Sequence, residues 1–157
     1  MNTQVMFYMI ENDETGAQNK AAWVHTCFQA AYFYRQNQAV YIYTGDQALA
    51  HEIDELLWSF DPDSFVPHNL QGEGPARGAA VEIGWQAPTN RRPVLINLTS
   101  EVPNFANRYA MIVDFVPADE ELKQLARTRY RAYRQLGFNV DNQPAQAIST
   151  TEEETAK

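Results

Sequence analysis

The chain has 157 residues and a formal net charge of −8 at pH 7, with 45% hydrophobic and 12% aromatic residues. This length supports one globular domain that buries roughly two-thirds of its unfolded surface. The acidic balance argues against a protein that follows a nucleic-acid backbone by itself, so we expect any role on DNA to be indirect, through a protein partner.

The N-terminal sequence and the cysteine content bear on the compartment. The first residues, MNTQVMFYMIENDE, have no basic region before the apolar run and are unlike a signal peptide. No run of about 18 apolar residues is present, so no membrane helix is predicted. With a single cysteine, Cys27, the chain cannot form an internal disulfide, which fits a reducing compartment. We therefore expect a cytoplasmic protein.

The first part of the chain predicts the order βαβα, which is typical of a parallel sheet with helices packed against it. The run VMFYMI at 5–10 is apolar throughout, as in a central strand. Apolar spacing predicts a helix from about Asn19 to Gln36, and the run AVYIYT at 39–44 predicts a second strand. Asp46 then caps a second helix that extends through Trp58.

The middle of the chain has less regular patterns. Residues 59–80 show no long periodicity and contain several prolines and glycines, which predicts a long loop. The runs VEIGW at 81–85 and PVLINL at 93–98 predict two further strands.

The sequence also predicts where the domain ends. From Val140 onward no apolar period is present, and the chain contains TTEEETAK. We therefore predict one α/β domain over residues 1–140 and an acidic, disordered tail over residues 141–157. The tail carries four acids and one lysine, so without it the net charge is −5 and the predicted domain is itself acidic.

The stretch 109–138 combines a predicted buried strand with the most regular helix in the sequence. The run MIVDFV at 111–116 is long enough for a core strand, and Pro117 ends it. Asp119 and the two glutamates after it favour a helix N-terminus, and Gly137 supplies the C-terminal stop.

A helical wheel divides this helix into two faces. The face expected to pack on the core carries Leu122, Leu125, Ala126, Ala132, Tyr133 and Leu136. A narrow second face, called the basic stripe below, carries Lys123, Arg127, Tyr130 and Arg134. By pattern alone the basic stripe is either a solvated face whose bases suit the helix dipole, or a docking site for an acidic peptide with an apolar anchor.

Candidate catalytic and cofactor motifs are weak. The segment QGEGP at 71–75 fits neither a Walker loop nor a dinucleotide-binding loop. The three histidines lack metal-ligand spacing, so no metal site is expected. No other cofactor is predicted. His68 with Glu73 and Asn69 could form an acid–base pair, but the preferred interpretation is that His68 and Asn69 form hydrogen bonds within the loop. Asp114, inside an apolar strand, is predicted to pair with Arg129 rather than to catalyse a reaction.

Aromatic side chains cluster at the end of the second predicted helix. Trp58 closes that helix, and Phe60 and Phe65 follow within seven residues. Such a cluster is either core packing or the anchor of a protein interface, where large aromatic side chains contribute much of the binding energy.

Taken together, these residues give a sequence that resembles the chi subunit family of bacterial DNA polymerase III. The resemblance rests on SFVPHNLQGEGPARGAAVEIGW at 64–85 and DFVPADEELKQLARTRYRAYRQLGFN at 114–139. It rests also on the opening strand VMFYMIEND and the helix end DELLWS, and it covers residues from about 4 to 140 in matching order.

The resemblance implies a Rossmann-like three-layer α/β sandwich with a mostly parallel sheet, helices on both faces and no nucleotide-binding loop. It implies a non-catalytic accessory subunit of the clamp-loader complex, which reaches DNA and the nucleoid only through the replication complex. The family binds the psi subunit on one surface, and that surface maps onto Trp58 and Phe65.

The resemblance also implies a second partner. On another surface the family binds the acidic C-terminal tail of single-stranded DNA-binding protein, a peptide that ends in carboxylates and a phenylalanine. That pocket maps onto Val116, Lys123, Arg127 and Tyr130, and the last three belong to the basic stripe. The alternative, from another functional class, is a small hydrolase or transferase built on the loop from His68 to Glu73, which would require His68 in a cleft.

Overall fold

Seven strands and three helices make up the part of the chain that the computed structural model describes, namely residues 3–10, 20–61, 63–74 and 78–145. The strands are β1 (Gln4–Met9), β2 (Val40–Tyr43), β3 (His68–Leu70), β4 (Val81–Gly84), β5 (Val94–Asn97), β6 (Met111–Val116) and β7 (Asn139–Pro144). The helices are α1 (Lys20–Arg35), α2 (Gln47–Ser59) and α3 (Glu120–Gln135), with a 3-10 turn at Ala106–Arg108.

The strands form one parallel sheet in the order β3-β4-β2-β5-β6-β1-β7. β1 lies between β6 and β7, so that Val5 is opposite Ile112 on one side and Val140 on the other. α1 and α2 pack on one face of the sheet, and α3 packs on the other together with the 3-10 turn. The predicted three-layer α/β sandwich with a parallel sheet is therefore confirmed.

Two apolar cores follow from the alternation of side chains along the strands. In β2, Val40 and Ile42 point toward α1 and α2, whereas Tyr41 points toward the face that α3 covers. β6 follows the same rule, with Val113 in the first core and Ile112 in the second. Both faces of the central strands are buried, which is why these strands appear in the sequence as continuous apolar runs.

Two edge strands differ from the sequence prediction. β3 lies inside the predicted loop 59–80, and β7 continues the sheet past the predicted domain boundary at residue 140. β3 has three residues, and β7 reads NVDNQP with mostly exposed side chains, so neither has an apolar pattern. Backbone pairing with a neighbouring strand defines them instead. The remainder of the predicted tail, residues 146–157, lies outside the described residues.

The packing of α3 corrects part of the helical wheel. Ala126, Arg129 and Tyr133 are buried against the sheet, but Leu125 is 42% exposed and Leu136 is 55% exposed. The prediction that these two leucines face the core was wrong, because both lie to one side of the stripe of α3 that is buried against the sheet. Among the helices described, none has both the length and the apolarity to cross a bilayer.

Three buried tyrosines should make the fold sensitive to alkali. Burial raises the pKa of Tyr41, Tyr109 and Tyr133 above the ordinary value of 10, and Asp114 raises that of Tyr133 further. Unfolding restores ordinary values, so the stabilisation is complete below about pH 10 and is lost as the pH rises above it. We expect a loss of about 1 kcal/mol per tyrosine for each pH unit above about 10.

Urea unfolding followed by tryptophan fluorescence at about pH 8 and about pH 10.5 measures this loss of stability. Tyrosinate absorbance recorded on the same samples should rise together with unfolding. An unfolding midpoint that stays constant over this range would contradict the prediction.

Candidate functional site

A pocket opens where two neighbouring strands send the chain to opposite faces of the sheet. β1 and β6 are adjacent, but β1 leads to α1 on one face and β6 leads to α3 on the other. Open α/β sheets have a crevice at the carboxyl ends of such strands. Here the crevice has a volume of about 460 Å³ and is lined by Met9, Ile10, Val116, Pro117, Ala118, Lys123, Arg127, Tyr130 and Asn142.

All four residues that the resemblance assigned to peptide binding line this pocket. Val116, Lys123 and Tyr130 are half-buried, and Arg127 is exposed. Arg134, the fourth member of the basic stripe, is exposed on the same helix but lies outside the lining.

The start of α3 fixes the two cations at the pocket. The Asp119 carboxylate accepts a hydrogen bond from Leu122 N at 3.1 Å and caps the helix. Asp119 O also accepts from Lys123 N at 2.8 Å, so Lys123 stands one turn inside the helix and Arg127 one turn further. Within the described ranges neither cation forms an ion pair. Their charges are therefore available to an incoming anion.

An aromatic ring forms the apolar part of the pocket. The ring centroid of Tyr130 lies 5.2 Å from that of Phe7 in β1, and Asn142 Nδ2 donates to the Tyr130 hydroxyl at 3.4 Å. These contacts hold the ring between β1 and β7, beside Val116. The pocket can thus hold an apolar side chain against Tyr130 while Lys123 and Arg127 bind negative charge.

A buried ion pair fastens α3 to the sheet behind the pocket. Arg129 Nε lies 3.0 Å from Asp114 Oδ2, and Arg129 Nη2 lies 3.0 Å from Asp114 Oδ1. The same carboxylate accepts from the Tyr133 hydroxyl at 2.9 Å and from Asn97 Nδ2 at 3.3 Å. This confirms the predicted pairing of Asp114 with Arg129. Because Asp114 is 1% exposed, its role is to position α3.

A second candidate surface lies at the opposite edge of the sheet. Trp58, near the end of α2, is 61% exposed, and Phe65, in the loop before β3, is 66% exposed. Their ring centroids are 6.1 Å apart, and the Trp58 ring lies 4.6 Å from that of His68. Phe60 packs edge-on against Phe28 at 5.0 Å instead. The predicted aromatic cluster therefore divides into an exposed pair and one packed ring.

The His68 loop does not have the arrangement that the alternative function requires. His68 Nδ1 lies 2.7 Å from Val66 O, and His68 Nε2 lies 3.4 Å from an Asp54 oxygen. The His68 side chain is 1% exposed, so it does not stand in an open cleft. Glu73 meets Asn69 only through its backbone carbonyl, at 2.9 Å. The suggested His68–Glu73 acid–base pair was wrong, and the preferred interpretation of a self-bonded loop is confirmed.

In the part of the chain that the structure describes, the other reactive side chains do not form a recognisable site. Burial raises the pKa of the Cys27 thiol to about 12, so the thiolate is scarce at neutral pH. Within the described ranges no group of three or more metal-ligating side chains comes together.

The sequence analysis missed five residues of the pocket, of which Pro117 and Ala118 directly follow the assigned Val116. Met9 and Ile10 stand at the carboxyl end of β1, and Asn142 belongs to β7. Position 142 fell in the predicted tail, where nothing in the pattern indicated a strand. Met9 and Ile10 could have been found, because the predicted strand placed them at the edge where crevices form.

Comparisons with known proteins agree with one another. The profile of the family described as "DNA polymerase III chi subunit, HolC" matches residues 2–141. DNA polymerase III subunit chi of Escherichia coli K12 is 44% identical over 137 residues, which is 86% of this chain and 93% of that protein. The Haemophilus influenzae protein of the same name is 44% identical over 119 residues, 74% of this chain and 83% of that protein. The Pseudomonas aeruginosa protein of the same name is 35% identical over 140 residues, which is 89% of this chain and 95% of that protein.

Proposed function

Because the chain belongs to the DNA polymerase III chi subunit family, we propose that it is a non-catalytic accessory subunit that bridges two proteins of the replication complex. One partner is the psi subunit of the polymerase assembly. The other is the acidic C-terminal tail of single-stranded DNA-binding protein. The observation that supports this most is the pocket at β1 and β6, where two cations that form no ion pair with any described residue stand beside an aromatic ring.

The pocket suits a peptide that ends in an apolar residue with a free carboxylate. Lys123 and Arg127 neutralise the terminal carboxylate and the acids before it through charge-assisted hydrogen bonds. Tyr130 and Val116 form the walls of a slot for the phenylalanine ring. Tight binding requires both the carboxylates and the phenylalanine of the peptide. An acidic peptide without the ring leaves the slot empty, and an apolar peptide without carboxylates leaves the two cations without a partner.

The exposed aromatic pair Trp58 and Phe65 supplies the surface for the psi subunit. Six strand spacings of about 4.8 Å separate the two edges of the sheet, so edge strands β3 and β7 lie roughly 29 Å apart. A protein bound at the β3 edge leaves the pocket beside β7 open. Both partners can therefore bind at the same time, as a bridge requires.

A modest affinity at the pocket is enough for this role. Single-stranded DNA coated by its binding protein presents many identical tails close together, so a tail that dissociates is replaced by a neighbour. The subunit thereby raises the local concentration of the polymerase assembly at the template.

Arg127→Ala should weaken binding of the tail peptide by about 1.5–3 kcal/mol, because it removes a charge-assisted hydrogen bond. This corresponds to a rise in Kd of roughly 10- to 150-fold. Fluorescence anisotropy with a labelled peptide of the tail sequence measures the change. Binding should also weaken as salt is added, since the pocket is at the surface.

The matched control is Arg35→Ala, which removes an exposed arginine near the end of α1 on the other face of the sheet. It makes the same change in net charge as Arg127→Ala. Substitutions at remote surface positions usually change a free energy by ~0.5 kcal/mol or less, so Kd should stay within about twofold of the wild-type value. A wild-type chain that does not bind the peptide would contradict the proposed function. Equal losses in the two variants would show attraction to net charge rather than a pocket.

A further inference from the structure

The sequence contains an acidic segment a few residues after β7, the strand that contributes Asn142 to the pocket. Ala145 N donates to Met9 O at 2.8 Å, so the chain leaves β7 beside a residue that lines the pocket. Asn142, three residues earlier, lines the same pocket. After Ala145 the sequence continues QAISTTEEETAK, which places three consecutive glutamates at 152–154.

The acidic segment can reach the basic stripe. Seven residue steps lead from Ala145 to Glu152, and seven extended steps span up to about 23 Å. α3 runs beside β7, and its cations Lys123, Arg127 and Arg134 form no ion pair within the described ranges. Lys123 and Arg127 stand at the pocket itself. The acidic segment and the basic stripe therefore carry opposite charges and are joined by a short linker.

We propose that the segment Glu152–Glu154 binds the basic stripe in cis and competes with the acidic partner peptide for Lys123 and Arg127. This inference rests on the proposed function of the pocket. A short flexible tether gives an effective concentration in the millimolar range, so even a weak contact occupies the cations for much of the time.

The two ligands differ in what they offer the pocket. Residues 146–157 contain three glutamates but no aromatic residue, so the acidic segment satisfies the cations and leaves the Tyr130 slot unfilled. A partner peptide that carries both carboxylates and a phenylalanine displaces it. Isolated acidic peptides without the ring do not. The acidic segment therefore sharpens selectivity for peptides that have both features.

The first test uses fluorescence anisotropy to compare peptide affinity among the wild-type chain, a triple variant and a truncated chain. In the variant Glu152→Gln/Glu153→Gln/Glu154→Gln, we expect the labelled tail peptide of single-stranded DNA-binding protein to bind roughly three- to tenfold more tightly than to wild type at low salt. The gain should shrink to less than about twofold near 0.5 M salt, where exposed charges are screened. A chain that ends at Ala145 should behave like the triple variant.

The matched control is Glu52→Gln/Glu55→Gln/Glu101→Gln. It removes three exposed acids away from the pocket and gives the same net charge of −5. Equal gains in the control and the test variant would overturn the proposal, because overall charge would explain them. Unchanged affinity in the test variant, with a wild-type chain that binds, would overturn the proposal and leave the proposed function standing.

The second test does not depend on the partner peptide. The chain has three lysines, Lys20, Lys123 and Lys157. A zero-length carbodiimide cross-linker should join Lys123 to Glu152, Glu153 or Glu154 in dilute wild-type protein, and mass spectrometry should not find the corresponding link from Lys20. Saturating tail peptide should suppress the Lys123 link. If that link does not form, the acidic segment is not on the basic stripe and the proposal fails, whatever the peptide affinity.

Discussion

Replacing Arg129 by methionine should lower the free energy of unfolding by about 3–5 kcal/mol, the range for breaking one partner of a buried ion pair. The loss arises because the buried carboxylate of Asp114 would remain without its cation. Asp114 is 1% exposed and would keep the Tyr133 hydroxyl, Asn97 Nδ2 and its neighbour's backbone amide, Phe115 N, as neutral donors, but no cation. Urea or thermal unfolding of the variant against wild type measures the loss.

Two further variants separate the ion pair from general effects of mutating α3. Arg131→Ala removes an exposed arginine two positions along the helix and should change stability by less than about 0.5 kcal/mol. Adding Asp114→Asn to Arg129→Met should restore part of the loss, since a neutral amide costs less to bury than an unpaired carboxylate. A single Arg129→Met variant as stable as wild type would show that the pair does not hold α3 in place.

Trp58→Ala together with Phe65→Ala should abolish measurable binding to the psi subunit. Each residue is more than half exposed, so truncation removes mainly contact area, together with the packing of the Trp58 ring on His68. Large aromatic anchors cost about 2–4 kcal/mol each when truncated at the centre of an interface. Isothermal titration calorimetry with purified psi subunit measures the loss, and urea unfolding should show that the variant is still folded.

Tyr32→Ala is the matched control for this surface. Tyr32 is an aromatic side chain on α1 that is 52% exposed, and it lies outside the Trp58–Phe65 pair. It should leave psi binding unchanged. If the double variant still binds psi with wild-type affinity, the psi subunit uses a different surface. Binding of the tail peptide should be unaffected in both variants, because the pocket lies at the other edge of the sheet.

The sequence predicted the interior of this fold better than its edges. The central strands are buried on both faces, so they can be recognised in the sequence as apolar runs. The ends of α3 could also be predicted, because Asp119 caps its start and Gly137 follows its end. β3 and β7 depend on backbone pairing with a neighbour, which leaves no trace in the side-chain pattern. For the same reason Asn142 could not be placed at the pocket in advance.

The candidate sites show the same division. The pairing of Asp114 with Arg129 was predictable, because two opposite charges at buried positions need each other. The helical wheel grouped Lys123, Arg127 and Tyr130, but only the crossover of β1 and β6 to opposite faces makes a pocket beside them. The position of His68 could not be predicted, since its contact with Asp54 depends on where α2 packs against β3.

The strand order has a mechanical consequence. In a sheet the ladder hydrogen bonds run across the strands, from one edge to the other. If one partner holds the Trp58 edge and the other holds the pocket beside β7, tension between them pulls along these bonds. Under a force in this direction, the strands separate from the sheet one at a time. A force along the strands would instead load all the hydrogen bonds between two neighbouring strands at once. β3, which is paired over only three residues, would then yield first, while the central strands stay intact.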